Sequence, residues 1–222
     1  SVERSAAARQ EERRGAVILV TSAAPGEGKS TVAADLALAL AKKHPNVLLI
    51  DADLRNPTQV GLFGDGAVQA GGLQALLQAP EVTLDGVSRA ATYSKAENIA
   101  LLLNKKRSDN PAELLASPNM ARLVELMREN MDYIVIDSPP YSMFAEGISL
   151  ADLADASILV VRQDRAAAAD INDTIDALNQ SRSKFLGLVL NDMKSLVYRS
   201  HGRDYGYGYG YGYGYGYGDR SS

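Results

Sequence analysis

Three short stretches of the sequence hold residues whose types and spacing suit phosphate chemistry. The first is Ala23-Ala-Pro-Gly-Glu-Gly-Lys-Ser30, with Thr31 next. It follows an apolar run and opens a helical pattern, so successive backbone N–H groups of Gly26, Glu27 and Gly28 can turn inward. Lys29 can then reach the outer phosphates of a nucleotide, and the Ser30 hydroxyl can ligate Mg²⁺. The second stretch places Asp51 and Asp53 at the end of the run VLLI, with Asp51 22 positions after Lys29. The third places Asp137 at the end of YIVI, before Ser-Pro-Pro. A triphosphate needs a divalent cation, and phosphoryl transfer needs a group that accepts the nucleophile's proton, so carboxylates beside a phosphate loop have work to do. Lys29 is expected to face solvent.

These residues need a scaffold that delivers them to one edge. The runs Val17 to Thr21, Val47 to Ile50, Ile99 to Leu103, Tyr133 to Ile136, Ala156 to Val161 and Phe185 to Leu190 read as strands, most of them apolar on both faces. That pattern belongs to a parallel sheet covered by helices on each side. Helical patterns fall between them, at Ser30 to Lys43, Pro111 to Leu115, Pro118 to Asn130, Gly147 to Leu153 and Ala167 to Ser181. The expectation is an α/β, doubly wound, mostly parallel sheet with the site at the carboxyl edge of the strands. Between Pro57 and Ser94 the pattern is illegible, apart from a helix expected at Gly72 to Leu77.

Composition narrows the function classes. The chain has 222 residues, 46% hydrophobic and 23% charged, with a formal charge of −4 and a pI near 5.3. A field of that sign does not draw the chain to nucleic acid. Cysteine is absent and the histidines number two, so a thiolate or histidine metal centre is excluded and any metal must be held by oxygen. No apolar run approaches the roughly 20 residues of a membrane span. The first fourteen residues, with four arginines and three glutamates, read as an arm or helix over 1–15. A domain over 16–195 follows, then a tail over 196–222 in which Tyr205 to Gly218 is a strict Tyr-Gly repeat. Alternating glycine carries high backbone entropy and offers little to bury, so the tail is expected to be disordered.

Taken together, AAPGEGKS, LLIDADLRNP and YIVIDSPP resemble the motifs of the bacterial protein-tyrosine kinases, and NPAELLASPNM is similar to a segment those proteins carry between the second and third motifs. The resemblance spans Ala16 to about Asp192. It implies a P-loop NTPase fold with ATP and Mg²⁺ as cofactors, and an autokinase linked to capsule or exopolysaccharide synthesis and export. Position by position it implies that Lys29 binds phosphates, that Ser30 and Asp137 hold Mg²⁺ with help from Asp53, and that Asp51 accepts the proton of the incoming tyrosine. Asn191 would read adenine, or serve only as a turn former. The acceptors would be Tyr205, Tyr207, Tyr209, Tyr211, Tyr213, Tyr215 and Tyr217 of neighbouring copies.

The same resemblance implies several partners: further copies of the chain, with a ring as one form; a transmembrane polysaccharide co-polymerase activator, fused or separate; and a cognate tyrosine phosphatase. It would place the protein at the cytoplasmic face of the bacterial inner membrane, through a spanning region or partner outside this chain. The family's N-terminal Glu-x-x-Arg-x-x-Arg pattern is present only as Glu11-x-x-Arg14, which leaves ring assembly open. Arg55 reads as a loop-fixing or subunit-contacting residue, or as a surface ion pair. Lys105-Lys106-Arg107 reads as a docking patch or a solvated loop, and Arg162 as a solvated strand end or a residue lining the site. An ATPase switch of the partition or septum-placement type is the alternative, although the signature lysine of its loop is Ala24 here. A third possibility is a structural role, with the Tyr-Gly tract as an adhesive element.

Overall fold

Short runs of leucine and β-branched residues form the strands, and the register between them decides where the polar residues at their ends arrive. The computed structural model describes residues 14–69, 71–141 and 146–193. In chain order these contain β1 (Ala16–Ser22), α1 (Lys29–Ala41), β2 (Val47–Asp51), α2 (Gln59–Phe63), a 3₁₀ turn (Asp65–Ala67), α3 (Gly72–Leu77), α4 (Leu84–Ala90), β3 (Thr92–Ser94) and β4 (Ile99–Leu102). There follow α5 (Pro111–Leu115), α6 (Pro118–Arg128), β5 (Tyr133–Asp137), α7 (Glu146–Ala151), β6 (Ala156–Arg162), α8 (Ala168–Gln180) and β7 (Lys184–Asn191). The sheet order is β3-β4-β2-β5-β1-β6-β7. Its pairings are parallel except that of β3 with β4.

The register of β2 on β5 pairs Asp51 with Asp137. Two neighbouring parallel strands therefore end level, each on a carboxylate, beside the loop that leaves β1. On one face of the sheet α1 buries Ala33, Ala37 and Ala41, one helical turn apart. Side chains this small let the helix axis lie close to the strands, which draws its first turn in beside Asp137. The opposite face carries Met120, Leu123, Val124 and Met127 of α6 against Ile134 and Ile136. Local signals set the ends of this helix: Pro118 opens it, and the Ser117 hydroxyl caps it by accepting from the Met120 N–H.

Two expectations change. The illegible stretch does contain α3, but also α2, α4 and the antiparallel edge strand β3, each too short to build a periodic signal. And β7 is not apolar on two covered faces. It is the sheet edge, it carries a bulge where Ser157/Ile158 of β6 change register, and Leu186, Leu188 and Leu190 are about half exposed or more. The N-terminal arm before Arg14, the Tyr-Gly tail and its seven candidate acceptors lie outside the described residues.

Candidate active site

The loop after β1 turns tightly on two glycines in the left-handed region, Gly26 at φ 78° and Gly28 at φ 89°. A side chain would be strained at either one. A Cβ on Gly28 would also lie 2.0 Å from Asn191 Nδ2, and one on Gly26 would lie 2.6 Å from the Arg165 guanidinium. The loop is braced from beneath by Glu27, which is fully buried. The Glu27 carboxylate accepts from the Ala24 N–H at 2.7 Å and the Arg162 N–H at 3.3 Å, and its carbonyl accepts from Asn191 Nδ2 at 2.9 Å. Asn191 thus ties the end of β7 to the loop, and any contact of Glu27 with a phosphate is left to its backbone N–H. Arg162 is not merely solvated: its guanidinium contacts the Gly26 carbonyl at 3.5 Å and pairs with Asp192.

Lys29 does not face solvent. It is 7% exposed, and its Nζ lies 2.7 Å from Asp53 Oδ2, 3.3 Å from Ser30 Oγ and 3.6 Å from Asp137 Oδ1. Burial pulls the Lys29 pKa down, but Asp137 and Asp53 outweigh it, and the net shift is upward. The ammonium is therefore firmly charged. Asp51 has no exposed surface, and its two oxygens accept from the N–H groups of Asp53 and Gln59, each at 3.2 Å. Burial, reinforced by the charge of Asp137, holds the Asp51 carboxyl well above its ordinary value. Asp137 is also pushed up by burial, against the opposing pull of Lys29 and of hydrogen bonds from Ser30 and Gln59.

A cavity of about 650 Å³ opens over this cluster, with Gly26, Lys29, Thr31, Asp53, Arg55 and Arg107 among its walls. Asp53 and Ser30 meet it; Asp51 and Asp137 stand behind them. Arg107 donates to Asn56 Oδ1 at 3.0 Å, and the Asn56 N–H donates to Asp53 Oδ1 at 3.0 Å, so one member of the Lys105–Arg107 run braces the loop after Asp53. Whether Mg²⁺ suits the site can be judged from its acceptors. Asp137 Oδ1 is buried with no hydrogen-bond donor, and Ser30 and Asp53 provide oxygen beside it. Among the described residues no three acidic or histidine side chains form a closed cage. Oxygen donors with an open shell suit Mg²⁺ shared with phosphates, so the residues fit that ion.

Two further residues of the site escape a reading of the motifs. Gln59 is fully buried between Ser30, Asp51 and Asp137. Asn104 joins β2 to α3, donating to the Asp51 carbonyl and accepting from the Gln74 N–H, both at 2.8 Å. Asn104 had a legible signal: like Asp51 and Asp137, it is the polar residue just past an apolar strand. Gln59 had none, because α2 is a single short turn of helix.

Comparison with known proteins shows the family and the fold. The family model for ParA, described as a NUBPL iron-transfer P-loop NTPase, matches residues 14–212. The chain is 34% identical over 186 residues to the tyrosine-protein kinase YwqD of Bacillus subtilis strain 168, covering 83% of this chain and 76% of that one. It is 36% identical over 177 residues to the tyrosine-protein kinase CpsD of Streptococcus pneumoniae serotype 4, covering 80% and 76%. Among solved structures, the VpsO kinase domain superposes with a TM-score of 0.71 at 30% identity, covering 84% of this chain and 89% of that one. The septum site-determining protein MinD of Pyrococcus horikoshii reaches a TM-score of 0.66 at 21% identity, a likeness of fold alone. Fold, phosphate loop and relatives converge, and the chain belongs to the bacterial tyrosine-protein kinases, within the ParA-type P-loop NTPases.

Proposed function

We propose that this protein is an ATP- and Mg²⁺-dependent protein-tyrosine autokinase whose substrate is the Tyr-Gly tail of a neighbouring copy. The observation that carries this is the meeting of Lys29, Asp53 and Asp137 beneath one open cavity, in a chain whose relatives are tyrosine kinases. Lys29 binds the outer phosphates through its charge, while the loop N–H groups hold their oxygens. Ser30, Asp53 and Asp137 would hold the magnesium ion, which would supply positive charge to offset that of the phosphates. Gly26, Glu27, Gly28 and Thr31 complete the nucleotide cradle, and Asn191 sits where the strand β7 reaches the loop. Asp51 is the proposed proton acceptor, and its raised pKa brings it closer to the proton affinity that base catalysis at neutral pH requires.

The tail suits the substrate role by length and repeat. Asn191 to Tyr205 is 14 residues, which fully extended span roughly 45–50 Å. That exceeds the ~16 Å radius of gyration of a domain this size. A period of two lets the chain slip in register and present one hydroxyl after another. Seven phosphates would add roughly −10 to −14 charges, enough to drive packed copies apart. We place the kinase in capsule or exopolysaccharide synthesis at the cytoplasmic membrane face, with a membrane co-polymerase activator and a phosphatase as partners. Among the described residues no helix is long and apolar enough to cross a membrane. Iron transfer does not carry over from the family description, since the chain has no cysteine to hold a cluster.

The test is incubation with labelled ATP and Mg²⁺, then phosphotyrosine mapping of the full chain and of a variant lacking residues 205–218. Label confined to the tail, with ATP binding retained by the deletion, supports the autokinase. ATP hydrolysis without phosphotyrosine would favour the septum-placement type of switch.

A further inference from the structure

Gln59 is the first residue of α2 and has no exposed surface. Its side-chain Nε2 donates to Asp137 Oδ2 at 2.8 Å and to the Ser30 carbonyl at 2.9 Å, and its backbone N–H donates to Asp51 Oδ2 at 3.2 Å. One residue therefore touches the phosphate loop and the carboxylates that end β2 and β5. The orientation of the amide is fixed by chemistry: both neighbours of Nε2 are acceptors, so the NH₂ must face them. That leaves Gln59 Oε1 buried without a donor, and Asp137 Oδ1 in the same condition.

Two buried acceptors left open at one site need an explanation. Waters around a cation are donors, and they would serve both. Because Gln59 occupies Asp137 Oδ2, the carboxylate is turned so that Oδ1, the atom 3.6 Å from the Lys29 ammonium, is the one available to a cation. Resting on the proposed Mg²⁺-nucleotide chemistry, we infer that Gln59 is a positioning residue: its amide locks the rotamer of Asp137 against the first turn of α1, and so sets the affinity of the site for Mg²⁺. It acts through Asp137 and makes no contact with the nucleotide.

This separates metal affinity from nucleotide affinity. Gln59→Glu keeps the shape but offers no donor to either acceptor; Gln59→Met keeps the length without adding charge. Both retain the backbone N–H to Asp51. The probe is mant-labelled ADP, titrated first in EDTA and then at rising Mg²⁺, with thermal melts confirming that each variant is folded. Wild type should bind mant-ADP more tightly as Mg²⁺ rises. In both variants the Mg²⁺ needed for half of that tightening should increase about 10- to 100-fold, while affinity in EDTA stays within about twofold. An unchanged Mg²⁺ midpoint in Gln59→Met overturns the inference. So does an equal loss of affinity in EDTA, which would make Gln59 a general support of the loop. If wild-type binding shows no dependence on Mg²⁺, the underlying Mg²⁺-nucleotide reading fails instead.

Discussion

The Lys29 ammonium lies 2.7 Å from the carboxylate of Asp53, and both side chains are more than nine-tenths buried. The lysine proposed to bind the outer phosphates of a nucleotide is thus already paired with a carboxylate proposed to help hold the metal. With both a nucleotide and a metal bound, the ammonium would be free to exchange Asp53 for phosphate while Asp53 and Asp137 would hold the metal. Neither exchange is favourable alone, because each would leave a buried charge without a partner.

Stability should therefore depend on Lys29 as strongly as activity does. Lys29→Met is expected to abolish self-labelling. It also leaves Asp53 and Asp137 without their cation, at a cost of about 3–5 kcal/mol, the usual result of removing one member of a buried pair. Adding Asp53→Asn to Lys29→Met should recover part of that loss. Urea denaturation of the single and double variants checks it, and an unchanged midpoint for Lys29→Met would show that the pair is not buried in solution.

The pH dependence of folding has a defined sign here. Asp51 and Asp137 have folded pKa values above the ordinary 3.8, so the stability they contribute is fully present below about pH 4 and is lost as pH rises through their raised values. Lys29, raised above 10.5, keeps its contribution through neutral pH and loses it only as pH climbs through its own folded pKa. In the ligand-free protein, Asp51→Asn should flatten the fall in stability as pH rises above about 4. Its absolute stability is a poorer measure, since the new NH₂ must face one of the two N–H groups that Asp51 now accepts from.

Gly28→Ala tests the loop directly. With φ at 89° and Asn191 Nδ2 2.0 Å from the added methyl, either the loop or the end of β7 must move. Nucleotide affinity is expected to fall at least tenfold. Gly28→Ala combined with Asn191→Ala relieves the clash but not the backbone strain, so recovery should be partial.

The three carboxylates are separable by kinetics. Asp137→Asn should weaken Mg²⁺-dependent nucleotide binding, and Asp51→Asn should leave it in place while slowing transfer by about 10²–10⁴-fold, the range of a general base. Asp53 is the carboxylate on the cavity wall. If Asp53→Asn, not Asp51→Asn, gives the pure transfer defect, the proton acceptor is Asp53.

Much of this arrangement was legible because strands buried on two faces write themselves as unbroken apolar runs, and the residue that ends each run marks the site edge. Asp51 and Asp137 carry that mark, and so does Asn104. The segment from Pro57 to Ser94 was not legible, because elements of three to seven residues complete too few turns to show a period. Two features escape the sequence for one reason. The burial of Lys29 and the exposure of Leu188 are set by neighbours distant in sequence, Asp53 for the one and the position of β7 at the sheet edge for the other.

The central proposal, that one copy phosphorylates the tail of another, is tested most directly by mixing two chains that cannot label themselves. One lacks residues 205–218 and keeps the intact site; the other carries the tail with Lys29→Met, held below its melting temperature. With labelled ATP and Mg²⁺, the expected result is label on Tyr205 to Tyr217 of the Lys29→Met chain only, and none when either chain is alone. Absence of label in the mixture, while the wild-type chain labels its own tail at a rate independent of protein concentration, would contradict it and make the reaction intramolecular.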